Sequence, residues 1–355
     1  MPEPEASEST MPSIRLSRSA SITPTDVGVI LRSDLGSFQL TGLDVSAFVE
    51  RMVPLLDGSR DREALVEALA DYSRQSVTAF LDLLEARGLV EPVPDHAPSA
   101  DGDRLRGQRE FLRKWSSAPE QAAQRIANAR VLVVGLEPWG ASAALALAGA
   151  GVSALRLIDG GAVGPRDVAV VRARGEAALG GPRRGAVAAL IREHAPLCRV
   201  DESSSAALEG GDLLSPEGRP HLLVAAVRGD DAELLERVAR FGHRAGIASL
   251  FSHLAGTTAV LGPLVFPGKT ACRICATTEA LNPSLAARSL AEPAPHAGTM
   301  GQLLGHLVAM EALKVLSAYT PSRLGGRFLI QDLATLETSH HTLVRLPWCK
   351  VCGEG

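Results

Sequence analysis

Cys272-Arg-Ile-Cys275 and Cys349-Lys-Val-Cys352 are the residues whose types and spacing speak most directly of chemistry. Each C-x-x-C pair can present two thiolates from one tight turn, and two pairs together suit a tetrahedral, closed structural Zn²⁺ site. The gap between the pairs is much longer than in a small zinc ribbon, so the metal would clip distant segments of one domain together. A redox dithiol and unrelated buried cysteines are the alternatives. The chain has five cysteines, an odd count that favours metal over disulfides and, with it, a cytoplasmic protein. The fifth, Cys198, stands apart and reads as a small buried residue.

A second stretch could hold an anion. Val131-Leu-Val-Val-Gly-Leu-Glu-Pro-Trp-Gly140 reads as a strand, a tight glycine turn and the start of a helix, and the following ASAALALAGAGVSALRLID completes the helix and a second strand ending in Asp159. This is the outline of a nucleotide-binding unit, in which bare backbone N–H groups and the positive helix end face phosphate. Yet Glu137 occupies the middle position of G-x-G-x-x-G. Two like charges at about 4 Å and an effective dielectric near 20 repel by about 4 kcal/mol, roughly three decades in affinity. Pro138 removes an N–H donor, and the Glu137 carboxylate can itself occupy the positive helix end. The loop is therefore expected to be filled by the chain's own anion, and ATP is not expected to bind.

These residues need elements to position them. The chain has 355 residues, enough for two or three domains, and is 46% hydrophobic with a formal net charge of -4. No apolar run is long enough to span a membrane. Residues 1–21 are polar and rich in Ser, Glu and Pro, and read as a disordered tail. Residues 94–108, rich in Pro, Asp, Ala and Ser, read as a linker.

Residues 22–93 form a small domain. VGVILRSDLGSFQL reads as two short strands around Asp34-Leu35-Gly36, followed by three amphipathic segments: Asp44 to Leu56, Asp61 to Ala70 and Ser73 to Arg87. Strands plus three helices in so short a stretch indicate a winged-helix-like α+β module. Its charge opposes nucleic acid: Thr23 to Val93 holds six Arg, no Lys and twelve acidic residues, a net of -6. Residues 109–355 alternate strands and helices, with HLLVAAV as a buried strand and the stretches starting at Asp231 and Gly301 as helices. That alternation indicates a Rossmann-type, doubly wound α/β sheet.

The small domain resembles the PqqD-like peptide-recognition domains of ribosomal-peptide modification enzymes, through VILRSDLGSFQLTG, LLDGSRDREALVEAL and LLEARGLV. The resemblance implies that a leader peptide adds a strand along Ser37, Phe38, Gln39 and Leu40, against the helix carrying Val77, Phe80, Leu81 and Leu84. Most of those apolar side chains read equally as core. The large domain resembles the ThiF/MoeB family of ubiquitin-activating-type adenylating enzymes, through VLVVGLEPWG…LRLID, GPRRGAVAALIREHAP, LLVAAVRGDD, GPLVFPGKTACRIC and GQLLGHLVAMEALKVL…GRFLIQDLATLETSHH…WCKVCG. In that family the paired cysteines bind structural zinc, and the Rossmann-like half uses ATP to activate a carboxyl group.

Carried over residue by residue, Gly135 and Gly140 match the first and last glycines of the phosphate loop. Asp159 matches the ribose-binding acid, and is equally a strand-end turn residue. Asp230 falls near the catalytic or magnesium-binding aspartate, and is equally a helix N-cap. Arg183 stands where the family has lysine. Departures accompany these matches. Asp167 and Val170 align on the family's Asn-x-x-Arg block, and Arg172 is offset from it. Arg109 and Arg113 are loose candidates for a further arginine. No cysteine between Cys275 and Cys349 could form a thioester. His340 and His341 read as surface or structural.

The combination resembles the leader-binding partner of azoline-forming cyclodehydratases. It implies a chain that is not an enzyme, a vestigial nucleotide site, and a YcaO-type partner to which the precursor peptide is presented. Family members commonly dimerise, which leaves a homodimer open. The alternative is an active ATP-dependent adenylating enzyme acting on a peptide carboxylate, similar to microcin-maturing enzymes.

Overall fold

The computed structural model describes residues 12–17, 20–33, 35–42, 44–93, 104–171, 179–210, 212–215, 218–229, 231–278 and 296–353. The chain divides into two compact units, Met1–Asp101 and Gly102–Gly355.

In the first unit, β1 (Ile14–Leu16), β2 (Ser21–Thr25), β3 (Gly28–Ser33) and β4 (Gly36–Thr41) precede α1 (Val45–Met52), β5 (Asp57–Arg60), α2 (Arg62–Ala68), α3 (Arg74–Ala86) and β6 (Val90–Pro92). They make two three-stranded sheets, β2-β3-β4 and β5-β1-β6. The stretch read as a tail thus contains β1, the middle strand of one sheet. Its polar surroundings hide it, but Ile14 is buried and the strand pairs on both sides. The two later helices begin at side-chain caps: Asp61 Oδ1 accepts from the Ala64 N–H at 2.9 Å, and Ser73 Oγ from Ser76 at 3.1 Å. Their inward faces meet the sheets in one core that includes Val29, Leu31, Met52, Leu65, Val77, Leu81 and Leu84.

The second unit opens with α4 (Arg106–Trp115) and α5 (Pro119–Ala127), so part of the stretch read as linker is helix. There follow β7 (Arg130–Val134), α6 (Pro138–Gly149), β8 (Ala154–Ile158), α7 (Val168–Val171), α8 (Arg183–His194), β9 (Arg199–Ser203), β10 (Leu222–Ala225), α9 (Ala232–Ala245), β11 (Ser249–Ala255), β12 (Thr258–Val265), α10 (Arg273–Thr278), α11 (Gly298–Ser317), β13 (Arg327–Asp332) and β14 (Thr338–Thr342). One eight-stranded sheet runs β14-β13-β12-β11-β10-β7-β8-β9. The five strands from β11 to β9 are parallel, and β12, β13 and β14 continue the sheet antiparallel.

Strand alternation sends Val131 and Val133 to a core shared with α6, α8 and α11, and Leu132 and Val134 to a second core shared with α9. Both faces are therefore covered, the arrangement a parallel sheet requires. Helix α6 is buried nearly all round, and its Ala-rich sequence suits that position between sheet and α11. The chain leaves β7 toward β8 and β9, then returns to β10 on the other side of β7. The switch point, where such sheets bind ligands, lies beyond the carboxyl ends of β7 and β10. Among the described residues, no helix is long and apolar enough to cross a membrane.

Candidate functional site

The crevice at the switch point is built from backbone first. Gly135 turns with φ 85°, and a Cβ there would lie 2.3 Å from the Ala226 carbonyl oxygen. A Cβ on Gly140 would meet the Gly135 carbonyl oxygen at 2.2 Å. Both glycines are thus required by close packing of the turn, whatever it binds. Asp159, at the end of β8, orders the next layer: its Oδ2 accepts from the Leu136 N–H and its Oδ1 from the Gly161 N–H, each at 2.7 Å. It therefore serves as the strand-end turn residue while facing the crevice.

Arg183, the first residue of α8, reaches three carboxylates. Its Nη1 donates to Glu137 Oε1 at 3.2 Å and to Asp159 Oδ2 at 3.3 Å, and its Nε lies 3.2 Å from Asp167 Oδ2. All four side chains are largely buried, with Arg183 12% and Glu137 18% exposed. Burial works against the guanidinium's charge, but Asp159, Glu137 and Asp167 outweigh it and hold Arg183 above its ordinary pKa. Arg184 adds a donor to the Asp159 carbonyl at 3.1 Å.

Two expectations about this loop need correction. Glu137 is the N-cap residue of α6, yet its side chain makes no cap hydrogen bond. It turns to Arg183 instead, because an ion pair in a shielded site outweighs a partial helix charge. The repulsion expected between Glu137 and phosphate is therefore reduced by a cation in contact with it, which Glu137 shares with Asp159 and Asp167. Asp231, not Asp230, caps α9, accepting from the Leu234 N–H at 3.1 Å, while Asp230 lies outside the described residues. Sequence reasoning misses the role of Asp167, which is buried, accepts from the Gly164 N–H at 2.8 Å and pairs with Arg183. The Gly164-Pro-Arg-Asp167 turn spacing was its one available signal. Val170, aligned on a family arginine, is buried in the core.

The four paired cysteines come together on the other side of the sheet. Their sulfurs stand 3.9 Å apart for Cys272–Cys275, 3.6 Å for Cys272–Cys349 and 3.4 Å for Cys275–Cys352, and all lie within 4.8 Å of one another. Four metal–sulfur bonds of about 2.3 Å in a tetrahedron place sulfurs about 3.8 Å apart, so the donor set fits zinc. Local backbone makes the second knuckle: the Gly353 N–H donates to the Cys349 carbonyl at 2.8 Å, and Arg345 donates to the Cys352 carbonyl from Nε at 3.0 Å and Nη2 at 2.7 Å. A Cβ on Gly353 would lie 2.4 Å from the Pro347 carbonyl oxygen, so only glycine closes this turn. Cys198 is buried and apart from the cluster.

In the first unit, β4 is an edge strand with Ser37 and Gln39 exposed and Phe38 and Leu40 half-buried. The Arg87 guanidinium sits 4.1 Å from the centre of the Phe38 ring. Val77, Leu81 and Leu84 are not available to a peptide: helical spacing turns all three into the core, where each is at most 1% exposed. Phe80 is half-buried and packs edge-on against Phe48 at 5.1 Å.

The molybdopterin-synthase adenylyltransferase of Salmonella typhimurium is 26% identical over 266 residues, covering 73% of this chain and 100% of that protein. Among solved structures, Escherichia coli MccB with ATP superposes with a TM-score of 0.73 at 16% identity, covering 96% of this chain and 100% of that one. The microcin C7 biosynthetic enzyme MccB in complex with N-formylated MccA gives 0.72, with the same identity and coverage. An adenylyltransferase matched over its whole length overturns the expectation that this chain is not an enzyme, and the expectation that ATP does not bind loses its support with it. The electrostatic reason behind those expectations is weakened, because it left out Arg183. The ThiF family model matches residues 110–351, which take in the sheet, the crevice and three of the four clustered cysteines, and the chain belongs to the ThiF family.

Proposed function

We propose that this chain uses ATP to adenylate a carboxylate of a ribosomally made precursor peptide, and that its N-terminal unit, PqqD-like and winged-helix-like, holds the leader of that peptide. The observation that carries the reading is the crevice at the β7–β10 switch point in a ThiF-family chain, where Asp159 and Arg183 meet. Those two positions match the family's ribose-binding acid and a position at which the family has lysine. In the reaction a carboxylate oxygen attacks the α-phosphorus of ATP, the bond to pyrophosphate breaks, and an acyl-adenylate and pyrophosphate result. Asp159 is fixed by two backbone N–H donors and keeps lone pairs for hydroxyl groups. Arg183 stays cationic at neutral pH and can exchange Glu137 for polyphosphate.

The peptide half of the reading rests on the β4 edge, whose unpaired backbone groups can take an added strand, and on the fold likeness to MccB seen with MccA. A chain that activates the carboxyl itself needs no YcaO-type cyclodehydratase to consume ATP. The cysteines would hold a structural Zn²⁺ that ties α10 to the end of the chain.

ATP–pyrophosphate exchange tests the proposal. The full-length chain should exchange labelled pyrophosphate into ATP only when a precursor peptide with a free carboxylate is present. No exchange with any peptide from its own genomic neighbourhood would sink the reading. Exchange with a C-terminally amidated peptide would move the reaction to a side-chain carboxylate.

A further inference from the structure

Thr23 to Val93 holds six arginines, and four of them are neutralised where they stand. Arg51 pairs with Asp71, Arg60 with Asp57, Arg62 with Asp82 and Glu85, and Arg74 with Glu63. The other two, Arg32 and Arg87, are exposed, and among the described residues neither side chain meets a carboxylate. Both stand beside one strand. Arg32 lies on β3 directly opposite Ser37 of β4, so the two side chains share a sheet face. Arg87 ends α3. Its carbonyl accepts from Ser33 Oγ at 2.7 Å, and its guanidinium lies 4.1 Å from the centre of the Phe38 ring. Phe38 follows Ser37 in the strand, so Arg87 serves the opposite face. Stacking on a ring holds a guanidinium without using its N–H donors, which stay free for a carboxylate.

β4 is the open edge of its sheet, because β2, the other edge, is interrupted by Pro24. A strand added to β4 sends successive side chains to opposite faces. Of two neighbouring residues, one therefore falls beside Phe38 and Arg87. The other falls beside Ser37, whose small side chain leaves Arg32 within reach of a long acid. The unit's nearest unpaired acids in the chain, Asp26 and Asp44, lie past the other end of the β3–β4 pair, where Gly28 faces Thr41. We infer that the β4 edge selects a leader segment with two adjacent acidic residues, aligned with Ser37 and Phe38, and that Arg32 and Arg87 are its specificity-determining residues. This deepens the peptide half of the proposal above and rests on it. It also gives an acidic unit a way to take an acidic ligand: its other arginines are spent on its own carboxylates, and the two that remain face the docking edge.

The test pans a displayed library of random peptides on the full chain and on the double variant Arg32→Glu, Arg87→Glu. Peptides held by the parent should be enriched in neighbouring Asp and Glu, and the double variant should hold basic peptides instead. One selected peptide, resynthesised with a fluorophore, is then titrated by anisotropy. Arg32→Met and Arg87→Met should each weaken its binding by about fivefold, near the upper end for an exposed ion pair, and added salt should weaken binding to the parent. Arg51→Met removes the same charge from a paired arginine and should stay within about twofold of the parent. Melting temperatures confirm that the variants, all at exposed positions, are folded. A parent that selects neutral or basic peptides would overturn the inference. So would an acidic peptide held equally by both single variants at the β4 edge, or weakened as much by Arg51→Met, which would reduce the effect to net charge. A chain that holds no peptide at all removes the peptide half of the proposal and the inference with it, whereas bound peptides without an acidic pair remove the inference alone.

Discussion

Glu137 stands where bare backbone would admit a phosphate, and Arg183 is the residue that changes its meaning. Alone, the carboxylate would oppose ATP by about 4 kcal/mol at an effective dielectric near 20. Paired at 3.2 Å with a guanidinium that also serves Asp159 and Asp167, it becomes a competitor for that cation. Glu137→Gln should therefore lower the KM for ATP in pyrophosphate exchange by about tenfold, the factor for about 1.4 kcal/mol, with Arg183 still held by two aspartates. An unchanged or higher KM would show that Glu137 does not oppose the nucleotide. Arg183→Ala should instead lose about 3 kcal/mol or more of stability, because buried carboxylates are left without their cation. At this scale the sequence was partly legible. Gly135, Gly140, Asp159 and the four cysteines announce themselves by spacing, which chemistry constrains. The pairing of Glu137 with Arg183 spans 46 positions, and nothing local in the sequence reports it.

Elements hold the crevice open through contacts that tolerate only small residues. Where α11 crosses α6, a Cβ on Gly305 would meet the Ser142 Cβ and the Trp139 carbonyl oxygen, each at 2.5 Å. The two helices must separate to admit it, and the start of α6 is one wall of the crevice. Gly305→Ala should cost about 1–3 kcal/mol, lower the melting temperature by a few degrees and raise the KM for ATP. A variant with parental stability and KM would mean that the helix contact is slack. The edge strand offers a second prediction at this scale. One of the adjacent residues Phe38 and Gln39 turns its N–H away from β3, so proline at that position removes a pairing donor from the open edge. One of Phe38→Pro and Gln39→Pro should weaken leader binding, measured by fluorescence anisotropy, without changing pyrophosphate exchange for a leaderless peptide. Equal binding by both variants would place the leader elsewhere. The long helices and the β3–β4 hairpin are readable because their periodicity runs for several residues. Strands β1, β5 and β6 have three or four residues each, too few for alternation to rise above composition, and two of them are stabilised by pairing with a third.

Across the whole molecule, each unit has its own core, and the cysteine cluster belongs to the second. Its two knuckles come from α10 and from the chain end, 77 positions apart, so a metal between them closes a long loop. Binding free energy at such a site is folding free energy, because the unfolded chain does not present four sulfurs together. Elemental analysis should accordingly find one zinc per chain, and Cys272→Ser or Cys349→Ser should lower the melting transition of residues 102–355. Acidity should act in a definite direction. Burial pushes the Cys272 thiol up and raises Cys275 to about 11, so zinc must displace protons from both. Zinc affinity should then fall as pH is lowered, and a chelator that leaves the site loaded at pH near 8 should strip it at pH near 6. Calorimetry of the stripped chain should show the transition of residues 102–355 moved down while that of residues 12–93 stays in place, since all four cysteines belong to a core of the second unit. Movement of both transitions together would show that the units fold as one. Zinc retained equally across that pH range would show that the thiols are ionised before the metal arrives.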